Sequence, residues 1–169
     1  MRLIYFIFLP FATFLQSFFD LEKRSAQIVI VLFFGLFGYC HTFEDTRADS
    51  YRKYESYTNY AAEDIEYIFD DFQDGRRKDV YESIIFSVTK QISDDPHVLM
   101  FIVGILGGVF YMLIAKRFYD DKKGRYTWPI IILTIFIIVE SNLLQIGGIR
   151  NFMAFGVFMY SIIRLLIDD

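Results

Sequence analysis

Arginine is the side chain to seek where a phosphate must be held, because its planar guanidinium makes paired hydrogen bonds to an oxyanion. In this 169-residue chain Arg150 follows the paired glycines Gly147 and Gly148, precedes Asn151, and stands between two apolar runs. A helix beginning near Arg150 points its free N–H groups and the positive end of its dipole where the guanidinium also sits, and together these make a site for phosphate or pyrophosphate. A tight turn with an arginine reaching out of lipid from a span end fits the same residues. Glu140 and Asn142 interrupt the preceding run. A carboxylate at membrane depth is costly enough to point to function, whereas a span that ends early leaves Glu140 merely solvated. Arg47, Asp49, Tyr51 and Tyr54 form a second set. It offers a guanidinium for phosphate, a carboxylate to take a proton from a sugar hydroxyl, and phenol rings to stack on a sugar. Charged and tyrosine-rich stretches also suit a wetted face at a membrane interface.

Other chemistries find less support. Cys40, His41, Glu44 and Asp45 are neighbours, but no second His or Cys stands near them at ligand spacing and His97 is far off in sequence, so no metal is assigned. There is no Walker phosphate loop, no dinucleotide fingerprint and no nucleophile-elbow serine, and no cofactor is expected. A single cysteine excludes an internal disulfide.

The elements that must position these residues are apolar. The chain is 54% hydrophobic and 20% aromatic, yet 22% charged, and the charge is segregated from the apolar runs. Leu3–Phe19 and Val98–Ala115 contain no charge, and about twenty such residues cross a hydrocarbon core. Ile28–Phe43, Trp128–Ile146 and Phe152–Ile167 are further candidates, the last interrupted by Arg164. Residues 1–19 lack a small-x-small cleavage pattern and are read as a membrane anchor. The expected fold is therefore all-α: a polytopic membrane protein of about five transmembrane helices forming a single membrane domain over 1–169, with an external acidic helical segment over 44–96.

Lys116, Arg117, Lys122, Lys123 and Arg125 assign their loop to the cytoplasmic side. Alternation then places Lys23 and Arg24 inside as well, and Met1 and the 44–96 segment outside. That loop sets topology and touches anionic lipid, and no nucleic-acid partner is expected. From Glu44 to Pro96 fourteen acidic residues face seven basic ones. Ile65, Ile68, Phe69 and Phe72, and again Val80, Ile84, Ile85, Val88 and Ile92, recur at helical spacing, predicting two amphipathic helices joined by a turn at Gln73-Asp74-Gly75. Asp95 and Pro96 predict an N-cap and first turn for the third span.

The order of features resembles the EpsG-type family of bacterial exopolysaccharide and capsule polymerases, relatives of the Wzy O-antigen polymerases. It rests on the basic turn Glu22-Lys23-Arg24, on Arg47-x-Asp49-x-Tyr51-x-x-Tyr54 opening an external segment, and on Ile149-Arg150-Asn151-x-x-Ala154 heading a span, with Asp79–Ile92 resembling an amphipathic stretch before the third span. The resemblance covers nearly all of this chain but only the N-terminal part of the family pattern. It implies a glycosyltransferase-like reaction that joins oligosaccharide repeats carried on undecaprenyl pyrophosphate, in the bacterial cytoplasmic (inner) membrane, multi-pass, by a truncated or partial chain. Membrane lipid and other polysaccharide-synthesis proteins would be its partners. Arg150 and Arg47 would stabilise charge on the departing pyrophosphate. Asp49, or failing it Glu140, would be the general base, and Tyr51, Tyr54 and Asn151 would bind substrate. A non-catalytic integral membrane partner or lipid-binding subunit fits the same sequence.

Overall fold

The computed structural model describes residues 2–43, 49–122, 132 and 149–168. Among the described residues every regular element is helical. They are α1 (Arg2–Phe8), α2 (Pro10–Ser17) with a 3-10 turn at Phe18–Asp20, α3 (Arg24–Tyr39), α4 (Asp49–Thr58), α5 (Ile65–Gln73), α6 (Tyr81–Lys90), α7 (Pro96–Lys122) and α8 (Ile149–Asp168).

The expectation of about five transmembrane helices, and the multi-pass inner-membrane location that followed from it, are corrected. Among the described residues one helix, Pro96–Asp120 within α7, is long and apolar enough to cross a membrane. The second run forms α3, whose 16 residues reach only about 24 Å against a hydrocarbon core of about 30 Å. The fourth, Trp128–Ile146, lies outside the described residues apart from Ile132. The fifth forms α8 over 20 residues, with Arg164 exposed.

The first run fails as a span for a local reason. Pro10 lacks an N–H and crowds the residue before it, and Leu9 leaves the helical region at φ −138° and ψ 65°. Arg2 and Asp20 form an ion pair, whereas a straight helix would hold them about 27 Å apart. α1 therefore folds back along α2. Arg2 and Lys23, expected on opposite sides of a membrane, lie at one end of the molecule, since Lys23 also pairs with Asp20 at 3.1 Å.

α7 begins as the sequence predicts: Asp95 Oδ1 accepts the His97 N–H at 2.9 Å, and Pro96 occupies the first turn. α3 runs antiparallel to α7, with Gly38 against Met100, Gly104 against Phe34 and Gly108 against Val31. A Cβ on Gly38 would lie 2.2 Å from the Met100 carbonyl oxygen, and one on Gly104 2.3 Å from that of Phe34. The two backbones touch, as small residues allow where helices pack in lipid. Around this contact lies the core, with Phe14, Phe18, Leu21, Ile30, Phe34, Leu99, Met100 and Val103 buried. Phe14 stacks on Phe33 at 4.0 Å and Phe34 on Tyr111 at 4.8 Å. α8 lies against α7, where a Cβ on Gly156 would approach Phe110 to 3.2 Å.

Among its described residues the acidic segment contains three helices where two were expected. α4 is too polar to show a hydrophobic stripe of core width, yet Tyr57 on its inner face is fully buried. α5 and α6 form as their apolar spacing predicts. Gly75 makes the turn after α5 at φ +70°, a region glycine enters without steric cost, and the N–H groups of Arg76 and Arg77 donate to the Asp71 carbonyl.

Candidate functional site

The end of the α3–α7 pair nearest the acidic helices gathers aromatic and imidazole rings. α3 stops at Tyr39, and residues 40–43 turn across the first turn of α7. The His97 Nδ1–H donates to the Tyr39 carbonyl at 2.9 Å, a tautomer set by the acceptor-only carbonyl. Phe43 then lies between three rings, at 5.1 Å from His41 edge-on, 5.2 Å from His97 and 5.1 Å from Tyr54, while Tyr54 meets Tyr51 at 5.8 Å. Tyr51 and Tyr54 are one helical turn apart on α4, which brings them to the same side of that helix.

His41 is the unusual member. It is 7% exposed, and neither ring nitrogen has a hydrogen-bond partner among the described residues. Burial, and then the neighbouring His97, hold its pKa below the ordinary histidine value of 6.5. It is therefore neutral at pH 7, with one nitrogen able to donate and the other to accept. Such a group can receive a proton from a hydroxyl that reaches it.

A polar frame fixes α4, α5 and α6 around this cluster. Lys53 of α4 bonds both oxygens of Glu82 of α6, at 2.6 and 2.7 Å. Arg77 joins Glu63 at 2.5 Å and Ser83 at 2.5 Å, with Asp71 at 3.8 Å. The Tyr57 hydroxyl donates to the Ser93 carbonyl at 2.6 Å, its ring meets Phe86 edge-on at 5.3 Å, and Lys90 stands 4.7 Å over its face. Burial pushes the Tyr57 and Tyr81 hydroxyls up to about 12, so both remain protonated donors at neutral pH.

Of the residues singled out in the sequence, the structure brings Tyr51 and Tyr54 together. Arg47 and Glu140 lie outside the described residues. Asp49 opens α4, and Arg150 and Asn151 lie in the first turn of α8, but only their backbone positions are described. Sequence reasoning weighed His41 and His97 only as metal ligands and set them aside. Their approach to one shared ring closes a gap of 56 residues that no local spacing signals. Among the described residues no group of three or more His, Cys, Asp or Glu side chains is placed to hold a metal.

No family model, curated protein or solved structure matches this chain. The likeness to exopolysaccharide polymerases therefore rests on the quoted residues alone.

Proposed function

We propose that this chain is a membrane-anchored, lipid-binding subunit held by the crossing helix α7, whose acidic helices α4–α6 form a rigid head at the lipid boundary. One observation carries this reading: the apolar surface that stays exposed. Ile4, Ile7, Phe8, Leu9 and Phe11 on α1–α2, Ile28 and Leu36 on α3, and Val157, Phe158 and Leu165 on α8 all face outward, with Ile7 and Phe8 at 75% and 76% exposure. A water-soluble monomer seldom leaves large apolar side chains uncovered on so many elements at once. Acyl chains would cover them without loss. The test is flotation with liposomes after carbonate and high-salt washing. The chain is expected to stay with the lipid, and a monodisperse monomer in detergent-free buffer would sink the proposal.

The aromatic cluster favours a second reading, glycosyl transfer on lipid-linked oligosaccharides, as the resemblance to EpsG-type polymerases implies. Tyr51, Tyr54 and Phe43 offer faces for sugar C–H groups, and His41 or Asp49 would accept the proton of the attacking hydroxyl. Arg150 and Arg47 would meet the pyrophosphate. Deleting the gene should then accumulate single lipid-linked repeats. Restoration by the intact gene but not by Arg150→Lys would support transfer, because lysine cannot make the two-pronged contact. An unchanged glycan profile would count against it.

A further inference from the structure

The folded-back first run has a consequence for how the chain meets lipid. Arg2 and Asp20 are bonded, so both ends of the run lie together, and its middle, Ile7 to Phe11, forms an exposed apolar tip. α1 has seven residues and α2 eight, so the arms are only about 10–12 Å long. That depth is less than half of a hydrocarbon core of about 30 Å. The inner side of α2 is fixed to α3, with Phe11 and Phe14 against Phe33 at 6.1 and 4.0 Å and Thr13, Phe14 and Ser17 buried. Ile7, Phe8 and Leu9 at the tip stay exposed.

Charge marks which leaflet the tip enters. The antiparallel register that sets Gly38 against Met100 and Gly108 against Val31 carries the start of α3 to the last turns of α7. The base of the hairpin thus shares one end with Arg24, Lys116 and Arg117. With Arg2 and Lys23 these are five cations, against Asp20, Glu22 and Asp120 among the described side chains; Asp20 pairs with Arg2 and Lys23, and Asp120 with Lys116.

We propose that the α1–α2 hairpin is a wedge that enters one leaflet without crossing it, its tip among the acyl chains and its base in anionic phospholipid headgroups. This rests on the membrane-anchored reading above. Acyl chains suit the tip because the residues Ile7, Phe8, Leu9 and Phe11 carry no polar side-chain atom. Phosphate suits the base because basic side chains there outnumber acidic ones. Two backbone bonds bridge the bend: the Leu9 N–H donates to Tyr5 and the Thr13 N–H to Leu9, at 2.8 and 3.0 Å. Each bond kept there lowers the cost of placing backbone in lipid.

The experiment uses the full chain in liposomes, with Cys40→Ser removing the native thiol, an epitope placed before Met1, and single cysteines at Phe8→Cys or Glu22→Cys. A fluorophore on Phe8→Cys should lose intensity about twofold with lipids spin-labelled in mid-chain, as an inserted group does. An impermeant thiol reagent and an antibody should reach Glu22→Cys and the epitope from the same side. A fluorophore on Glu22→Cys should be quenched about twofold more by head-labelled phosphatidylglycerol than by head-labelled phosphatidylcholine. Access from opposite sides would make the run a span and overturn the wedge while leaving the chain membrane-bound. An unquenched Phe8→Cys that instead forms disulfide-linked dimers would give the face to a second copy. Equal quenching by the two lipids would remove the anionic contact. Failure to float with any liposome would defeat the anchored reading and the wedge together.

Discussion

Replacing Gly38 by alanine tests the contact on which the whole helical arrangement depends. The added methyl would stand 2.2 Å from the Met100 carbonyl oxygen, whereas ordinary contact begins at 3.4 Å. Relief requires α3 and α7 to part by roughly 1.2 Å, the difference of those distances, because the obstacle is backbone and has no rotamer to change. A gap of that size forfeits at least a quarter to a half of the dispersion attraction between facing atoms, and the buried Phe34, Met100 and Val103 lie along the seam. The steric loss is about 3 kcal/mol. Alanine's better helix propensity offsets about 1 kcal/mol. The net loss of about 2 kcal/mol should lower the unfolding temperature by about 4–8 °C for a chain of this size, read by circular dichroism in detergent micelles. Gly104→Ala, at 2.3 Å from the Phe34 carbonyl, should behave alike. Gly35→Ala is the comparison: its methyl meets side chains rather than backbone, Ile105 at 2.6 Å from Cδ1 and 2.9 Å from Cγ1 and Phe101 at 3.0 Å from Cε2, and side chains can shift where a carbonyl cannot. That variant should melt above Gly38→Ala. If Gly38→Ala melts at or above Gly35→Ala, the backbones do not touch and the packing argument is wrong.

Two further outcomes follow from the site and its frame. Tyr57→Phe removes the donor to the Ser93 carbonyl from a fully buried position and should cost about 1–2 kcal/mol in a denaturant titration; a variant as stable as wild type would show that water supplies the bond. His41 has a folded pKa below its unfolded 6.5, so between those values the unfolded chain binds more protons and stability rises with pH. Its contribution is whole above about pH 6.5 and is lost as pH falls through the folded value. The stability of wild type relative to His41→Phe should therefore decline on acidification from pH 8 to pH 5, and a flat difference would place the imidazole in water.

Several features were legible because they depend on near neighbours. Helical character, the start of α7 at Asp95-Pro96, the paired apolar faces of α5 and α6 and the turn at Gly75 all follow from spacing within a few residues. The failure at Leu3–Phe19 is equally instructive. Hydropathy sums over a run and is unaffected by a reversal of direction within it, so seventeen uncharged residues look alike whether they cross a bilayer or double back. Pro10 was the visible signal, since a proline amid an apolar run marks the residue before it as a possible break. How far the chain turned there still depended on the dihedral angles of Leu9. Of the proposed site, only the turn-spaced pair Tyr51 and Tyr54 was found from sequence and then placed in a described cluster.

By itself, then, the sequence determined that this chain makes helices, that Val98–Ala115 is long and oily enough for a bilayer, and that charge is kept apart from apolar surface. Each is a property of composition or of contacts closer than a helical turn. Tertiary structure alone decided that Arg2 returns to Asp20, that Gly38 and Gly104 admit a neighbouring backbone, and that His41 and His97 converge on Phe43. These meetings join positions up to tens of residues apart, and only the shared packing of α1 to α7 brings them within reach.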